Sequence, residues 1–241
     1  MIPSALDTCT KLNNFVFLVM SVERLSKSKV PSLFSSITLY FDQKLISKED
    51  SIFLAGHRGM AGQSILKALK NNGYKNILLM KRKELDLTNE KDVSEWFQKL
   101  KPRVVILAAA KVGGIEANNN YPADFLLENL KIQTNIIENA WRNGTKRLLF
   151  LGSSCIYPKF ANQPIKEEEL LSKSLEETNQ YYAIAKIAGL KLCEAMRHQY
   201  KFDAICLMPT NLYGPNDNFD HNSSHVLPAL ISKFHGSLEK S

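Results

Sequence analysis

Five short apolar runs alternate with four longer stretches of helical periodicity between Ser51 and Met208, and this alternation restricts the fold more than any other feature of the chain. The runs are Ser51–Ala55, Asn76–Met80, Val104–Ala108, Arg147–Leu151 and Asp203–Met208; the helical stretches are 59–72, 90–100, 122–143 and 179–200. Continuous apolar runs of this length read as strands buried on both faces. Strand–helix–strand order with right-handed crossovers then predicts an α/β fold built on a doubly wound parallel sheet. Residues 1–50 do not share the pattern, and the first of the eleven glycines is Gly56. That stretch is read as a non-homologous N-terminal extension or as a start assigned upstream of the true one. A basic, Ser-containing leader could be a targeting peptide, but Asp7, Glu23, Asp42, Glu49 and Asp50 are too many acids for one.

Composition closes off several classes. With 44% hydrophobic and 23% charged residues among 241, the chain is neither low-complexity nor collagen-like. The net charge of +7 is scattered among nearly as many acids, without a basic block, so no nucleic-acid partner is expected. No apolar run is long enough to span a membrane; the best, Phe15–Met20, is far too short. Four cysteines (Cys9, Cys155, Cys193 and Cys206) lack metal-ligand spacing, so no metal is expected. They read as free thiols in a reducing compartment, the cytoplasm. Cys193, Cys206, Trp96 and Trp141 fall at packing positions, and Glu167–Glu169 reads as a solvated loop.

Gly56-His57-Arg58-Gly59-Met60-Ala61-Gly62 lies directly between the first strand and the first helix. Glycines at these spacings permit a tight turn, close backbone approach to a pyrophosphate, and tight helix–strand packing. The helix N-terminus adds unpaired N–H groups for the anion, so this is a dinucleotide cradle. An NAD-selective site carries an acid at the end of the second strand; here Lys81-Arg82-Lys83 stands there, with Glu84 and Asp86 following. Arg82 and Arg58 could grip a 2′-phosphate, which favours NADP(H).

Tyr182 and Lys186 lie four residues apart on one predicted helix face. An ammonium near a phenol is expected to lower the phenol pKa, letting Tyr182 exchange a proton with a carbonyl oxygen while hydride moves. Lys186 could also hold the nicotinamide ribose. Ser153, just past the strand ending at Leu151, sits where such sheets bind ligands.

The glycine loop, Ala108-Ala109-Ala110, the serine and the Tyr/Lys pair together resemble the extended short-chain dehydrogenase/reductase family. Five blocks in order are more specific, and resemble the GDP-L-fucose synthase family within it: Gly56–Met60, Ala110–Ile115, Gly152–Pro158, Tyr182–Gly189 and Pro209–Pro215. The resemblance runs from about Ser51 to about His235. It implies NADPH-dependent conversion of GDP-4-dehydro-6-deoxy-D-mannose to GDP-L-fucose, by epimerisation at C3 and C5 and reduction at C4. Carried onto this sequence, it makes Cys155 the epimerisation base and His225 its acid partner. Tyr182 becomes the proton donor, Lys186 its electrostatic support, and Ser153 a donor to the C4 oxygen. A thiolate and an imidazole are plausible tools for that proton transfer near neutral pH.

Cofactor contacts are expected from Gly56, His57, Arg58, Gly59, Met60, Ala61 and Gly62, then from Arg82, Asp86 and Leu87. The resemblance implies further contacts from Leu151, Gly152, Ser153, Ser154, Lys186, Pro209, Thr210, Asn211, Leu212 and His225, with Lys233 on the substrate diphosphate. The resemblance also implies that helices 122–143 and 179–200 form the four-helix interface of a homodimer.

This reading divides the chain into an unmatched extension, 1–50, an NADP-binding Rossmann domain, 51–210, and the truncated start of a substrate domain, 211–241. The family continues past Ser241, so a second reading is an inactive dinucleotide-binding fragment. A third is a related nucleotide-sugar reductase or epimerase, although a simple C4 epimerase would need neither Cys155 nor His225.

Overall fold

The computed structural model describes residues 46–220 and 224–238; the expected extension and Cys9 lie almost wholly or wholly outside them. Strands β1 (Ile52–Ala55), β2 (Ile77–Leu78), β3 (Val104–Leu107), β4 (Arg147–Leu151) and β5 (Ala204–Leu207) form one parallel sheet in the order β2-β1-β3-β4-β5. Among the described residues six α-helices accompany them: α1 (Met60–Asn71), α2 (Glu90–Leu100), α3 (Ile115–Asn120), α4 (Pro122–Arg142), α5 (Gln180–Tyr200) and α6 (Val226–Leu238). The expected doubly wound architecture is the observed one.

Alternate residues of each strand feed opposite faces of the sheet. Phe53, Val105, Leu107, Leu148 and Phe150 pack with α2, α4 and α5 in one buried cluster. Ile52, Leu54, Val104, Ile106 and Leu149 pack with Ile65, Ala68 and Leu69 of α1 in the other. Trp96 lies 4.3 Å from Phe53 and Trp141 stacks on Tyr200 at 4.2 Å, both packing roles as expected. Cys193 and Cys206 belong to the first of these clusters.

Most boundaries follow from local chemistry. Asn89 caps α2 by accepting the Asp92 N–H, Glu90 and Asp92 complement the positive end of the helix dipole, and Lys101 ends it in a left-handed turn. The second strand departs from expectation: only Ile77 and Leu78 pair with β1, and Leu79 and Met80 lie beyond the ladder. Helix α3, Ile115-Glu-Ala-Asn-Asn-Asn, was not expected, since it has no apolar period. Asn118 supports it, donating to the Gly113 and Gly114 carbonyls at 2.8 and 3.0 Å.

At the far edge of the sheet from the loops, Arg147 donates from Nε and Nη2 to Asp203 Oδ2, each at 2.8 Å, tying β4 to the start of β5. No described helix is long and apolar enough to cross a membrane. No group of three or more His, Cys, Asp or Glu side chains suited to a metal occurs among the described residues.

Candidate active site

The strand order reverses direction between β1 and β3, and the loops leaving the carboxyl ends of β1, β3 and β4 converge there. This switch point is where open parallel sheets hold ligands. The β1 loop is forced into shape by its glycines. Gly56 has φ +88°, and a Cβ on it would lie 2.5 Å from the Ala109 nitrogen. A Cβ on Gly62 would lie 2.0 Å from the Gly56 carbonyl oxygen. Gly59 leads into α1 with no side-chain cap and no acid in the first turn. The first N–H groups of α1 therefore stay available to an anion. His57 Nδ1 is buried without a partner, and burial together with the Arg58 charge lowers the imidazole pKa, keeping it neutral. A tight cradle, unpaired donors and an orphaned ring nitrogen fit a dinucleotide pyrophosphate.

Arg82 stands at the end of the second-strand segment with its side chain 73% exposed, its Nη2 3.6 Å from Glu128 Oε2. Glu128 is held in turn by the Lys111 ammonium at 2.6 Å, which also pairs with Asp124 at 3.2 Å. Arg58 is exposed, and its carbonyl accepts from Gln63. Asp86 and Leu87 are engaged within the protein. The Asp86 carboxylate accepts from the Thr88 N–H and hydroxyl, which hold its pKa down, and the Leu87 carbonyl accepts from Asn135.

Beyond β4 the chain turns through Gly152, whose N–H donates to the Leu207 carbonyl, into a 3-10 turn at Ser154–Ile156. Ser154 N–H donates to the Pro209 carbonyl, drawing 209–212 beside this turn. The Cys155 thiol donates to Ser153 Oγ at 3.0 Å. Lys186, only 4% exposed, donates from Nζ to the Leu151 carbonyl at 2.8 Å and lies 4.8 Å from the centre of the Phe150 ring. Its Nζ is 5.8 Å from the centre of the Tyr182 ring, which meets Phe125 edge-to-face. Ser153, Cys155, Tyr182 and Lys186 thus form one cluster.

Two electrostatic expectations are corrected. Burial raises the Tyr182 pKa far above its ordinary value, and the nearby Cys155 adds to this, while hydrogen bonding with Ser153 pulls the other way. Desolvation depresses the Lys186 ammonium itself to about 8. Burial likewise raises Cys155, outweighing the Ser153 hydrogen bond and the Lys186 charge, so the free thiol is protonated at neutral pH.

Residues near the C-terminus are not drawn into the cluster. His225 is exposed, with its carbonyl accepting the Ala229 N–H at the start of α6. Lys233 is exposed on the same helix. Val226, Leu227, Leu230, Ile231 and Phe234 leave that helix with an exposed apolar stripe. Glu167–Glu169 form an exposed 3-10 turn, as the solvated reading expected.

A parallel α/β sheet with a glycine-cradled switch point and a Ser–Tyr–Lys cluster in which Lys186 is buried defines the extended short-chain dehydrogenase/reductase class. The chain belongs to the NAD dependent epimerase/dehydratase family, whose profile matches residues 52–240. It is 61% identical to GDP-L-fucose synthase 1 of Arabidopsis thaliana over 188 residues, covering 78% of this chain and 58% of that protein. Against the GDP-L-fucose synthase of Escherichia coli, identity is 54%, covering 76% of this chain and 57% of the relative. A crystal structure of a GDP-L-fucose synthetase from Naegleria fowleri bound to NADP superposes with TM-score 0.72 at 29% identity, covering 81% of this chain and 64% of that one. The chain therefore spans a little under three fifths of these two curated relatives.

Proposed function

We propose that this chain carries the NADP(H) site and the proton-transfer cluster of a GDP-L-fucose synthase. The proposed reaction is NADPH-dependent 3,5-epimerisation and 4-reduction of GDP-4-dehydro-6-deoxy-D-mannose. The observation that carries the reading is the Ser153 hydroxyl, which accepts from the Cys155 thiol at 3.0 Å and stands near enough to half-buried Tyr182 to pull its phenol pKa down. One polar group thereby joins the thiol that epimerisation needs to the phenol that reduction needs.

In this reading the first N–H groups of α1 hold the pyrophosphate, and Arg82 and Arg58 hold the 2′-phosphate. Bound NADPH supplies the hydride that reaches C4. Tyr182, kept protonated by its burial, gives its proton to the C4 oxygen. Ser153 donates to the same oxygen, stabilising the enolate that forms when a proton leaves C3 or C5. Cys155 abstracts that proton as the thiolate; burial raises the thiol pKa, and the Ser153 hydrogen bond and the Lys186 charge pull against that rise. Lys186, with a pKa of about 8, is mainly protonated at pH 7. It supports the developing phenolate and meets the nicotinamide ribose. His225 returns the proton from the opposite face, and Lys233 meets the substrate diphosphate; both stand on or beside α6, whose apolar stripe is open to a further part of the substrate domain.

The free thiols Cys155, Cys193 and Cys206 support a cytoplasmic setting. Exposed Leu127 on α4, with Tyr181 and Ile184 on α5, supports a homodimer packed through those helices. The test is incubation of the purified chain with GDP-4-dehydro-6-deoxy-D-mannose and NADPH, following absorbance and product. Formation of GDP-L-fucose, lost in Tyr182→Phe, supports the reading; NADPH binding without turnover assigns a cofactor-binding unit alone.

A further inference from the structure

Helix α4 turns three buried amides toward the segments that make up the site. Asn129 donates to the Lys111 carbonyl at 3.0 Å and accepts the Lys111 N–H at 2.9 Å, clamping the loop after β3. Asn135 donates to the Leu87 carbonyl at 2.9 Å, fixing the segment after β2. Gln133 donates from Nε2 to the Ala185 carbonyl at 2.6 Å, and Ala185 immediately precedes Lys186.

The last contact is the one that reaches the reacting groups. Gln133 is 3% exposed, so its amide has no exchange of partners with water, and losing the bond would strand a buried donor. The approach of the two helices is close because residue 189 is glycine. A Cβ there would lie 2.7 Å from Gln133 Oε1 and 2.6 Å from Phe150 Cζ. Phe150 is also the ring beneath the Lys186 ammonium. Gln133, Gly189 and Phe150 therefore form one packing unit that fixes α5 along and about its axis at the turn carrying Lys186.

We propose that Gln133 is a positioning residue for the Tyr182–Lys186 pair, setting through the Ala185 carbonyl where Lys186 lies against the nicotinamide ribose. The proposal rests on the cofactor reading above, but it does not need turnover to be tested. Gln133→Met keeps the volume and removes the donor; Gln133→Asn keeps the amide and shortens its reach. Each variant and the wild type are titrated with NADPH and with 2′,5′-ADP, which carries the 2′-phosphate end of the cofactor and lacks the nicotinamide ribose. Amide hydrogen exchange is followed over 180–192.

Both variants are expected to bind NADPH about tenfold more weakly, the effect of roughly one net hydrogen bond. Binding of 2′,5′-ADP should stay within twofold, and faster exchange should be confined to α5. Equal weakening of both ligands, or exchange raised across the whole sheet, would mean Gln133 only supports the fold, and the proposal would fall. Unchanged NADPH affinity in both variants would overturn it as well, with the wild-type affinity leaving the cofactor reading intact. A wild-type chain that binds neither ligand would overturn the cofactor reading and this role together.

Discussion

The two later glycines of the β1 loop make opposite demands, and replacing each by alanine separates packing from ligand approach. At Gly62 the added methyl would meet three backbone atoms: the Gly56 carbonyl oxygen at 2.0 Å, the Gly56 carbonyl carbon at 2.7 Å and the His57 Cα at 2.8 Å. None can rotate away, so the loop or the first turn of α1 must move by roughly an ångström to restore ordinary contact. Overpacking of this kind costs about 1–3 kcal/mol, at the upper end here because backbone must shift. The gain from alanine in a helix offsets at most about 1 kcal/mol. The net, about 2 kcal/mol, corresponds to a Tm about 4–8 °C lower for a domain of this size. The displaced N–H groups would also lose one or two charge-assisted hydrogen bonds to the pyrophosphate, weakening NADP+ binding roughly 10²-fold. At Gly59 the nearest atom is the Gly56 oxygen at 3.7 Å, and φ is −73°, so alanine fits the protein without strain. Gly59→Ala should leave Tm within a degree or two, yet weaken NADP+ because a methyl then stands where the pyrophosphate approaches. Differential scanning fluorimetry and titration calorimetry read both effects. A Gly62→Ala protein with unchanged Tm and NADP+ affinity would refute the reasoning, as would a Gly59→Ala protein that unfolds early.

Other consequences follow from the buried charges. Arg147→Met leaves Asp203 with only the 3.8 Å contact to Arg197, and should destabilise by about 3 kcal/mol in urea unfolding; Arg147→Met/Asp203→Leu should recover most of it. Lys186 is depressed from 10.5 to about 8, so between those values the unfolded chain binds more protons than the folded one. Its contribution to stability must therefore rise as pH climbs from about 8 to 10.5, and the stability of the wild type relative to Lys186→Met should rise across that window. Cys155, raised by burial, should react slowly with iodoacetamide at pH 7–8, followed by peptide mass spectrometry. Lys186→Met should slow it further, because the cation that favours the thiolate is gone.

Much of the frame could be read from the amino-acid order, for physical reasons. Arg147–Leu151 and Glu90–Leu100 match the expected segments end to end, because apolar runs and a capped amphipathic stretch carry their own boundaries. The β2 edge was overestimated, since which of its residues pair depends on register with β1 rather than on composition. Helix α3 escaped notice because its stability comes from Asn118 bonding to glycine carbonyls and not from an apolar face. At the site, residue identities were legible and their electrostatics were not. Spacing placed Tyr182 and Lys186 on one helix, but only the packing shows Lys186 turned to the Leu151 carbonyl and burial ruling the phenol. Gln133 carried no signal at all, since a polar residue in a long helix reads as solvent-facing until α5 is packed against it.

The central claim, that one thiol–hydroxyl–phenol cluster serves both epimerisation and reduction, is tested most directly by running the reaction in D2O. The purified chain, given GDP-4-dehydro-6-deoxy-D-mannose and NADPH, should yield GDP-L-fucose carrying solvent deuterium at C3 and C5, seen by NMR. Cys155→Ser should lose that incorporation while Tyr182→Phe retains exchange and loses reduction. A C4-reduced product without deuterium at C3 and C5, or exchange that persists undiminished in Cys155→Ser, would contradict it.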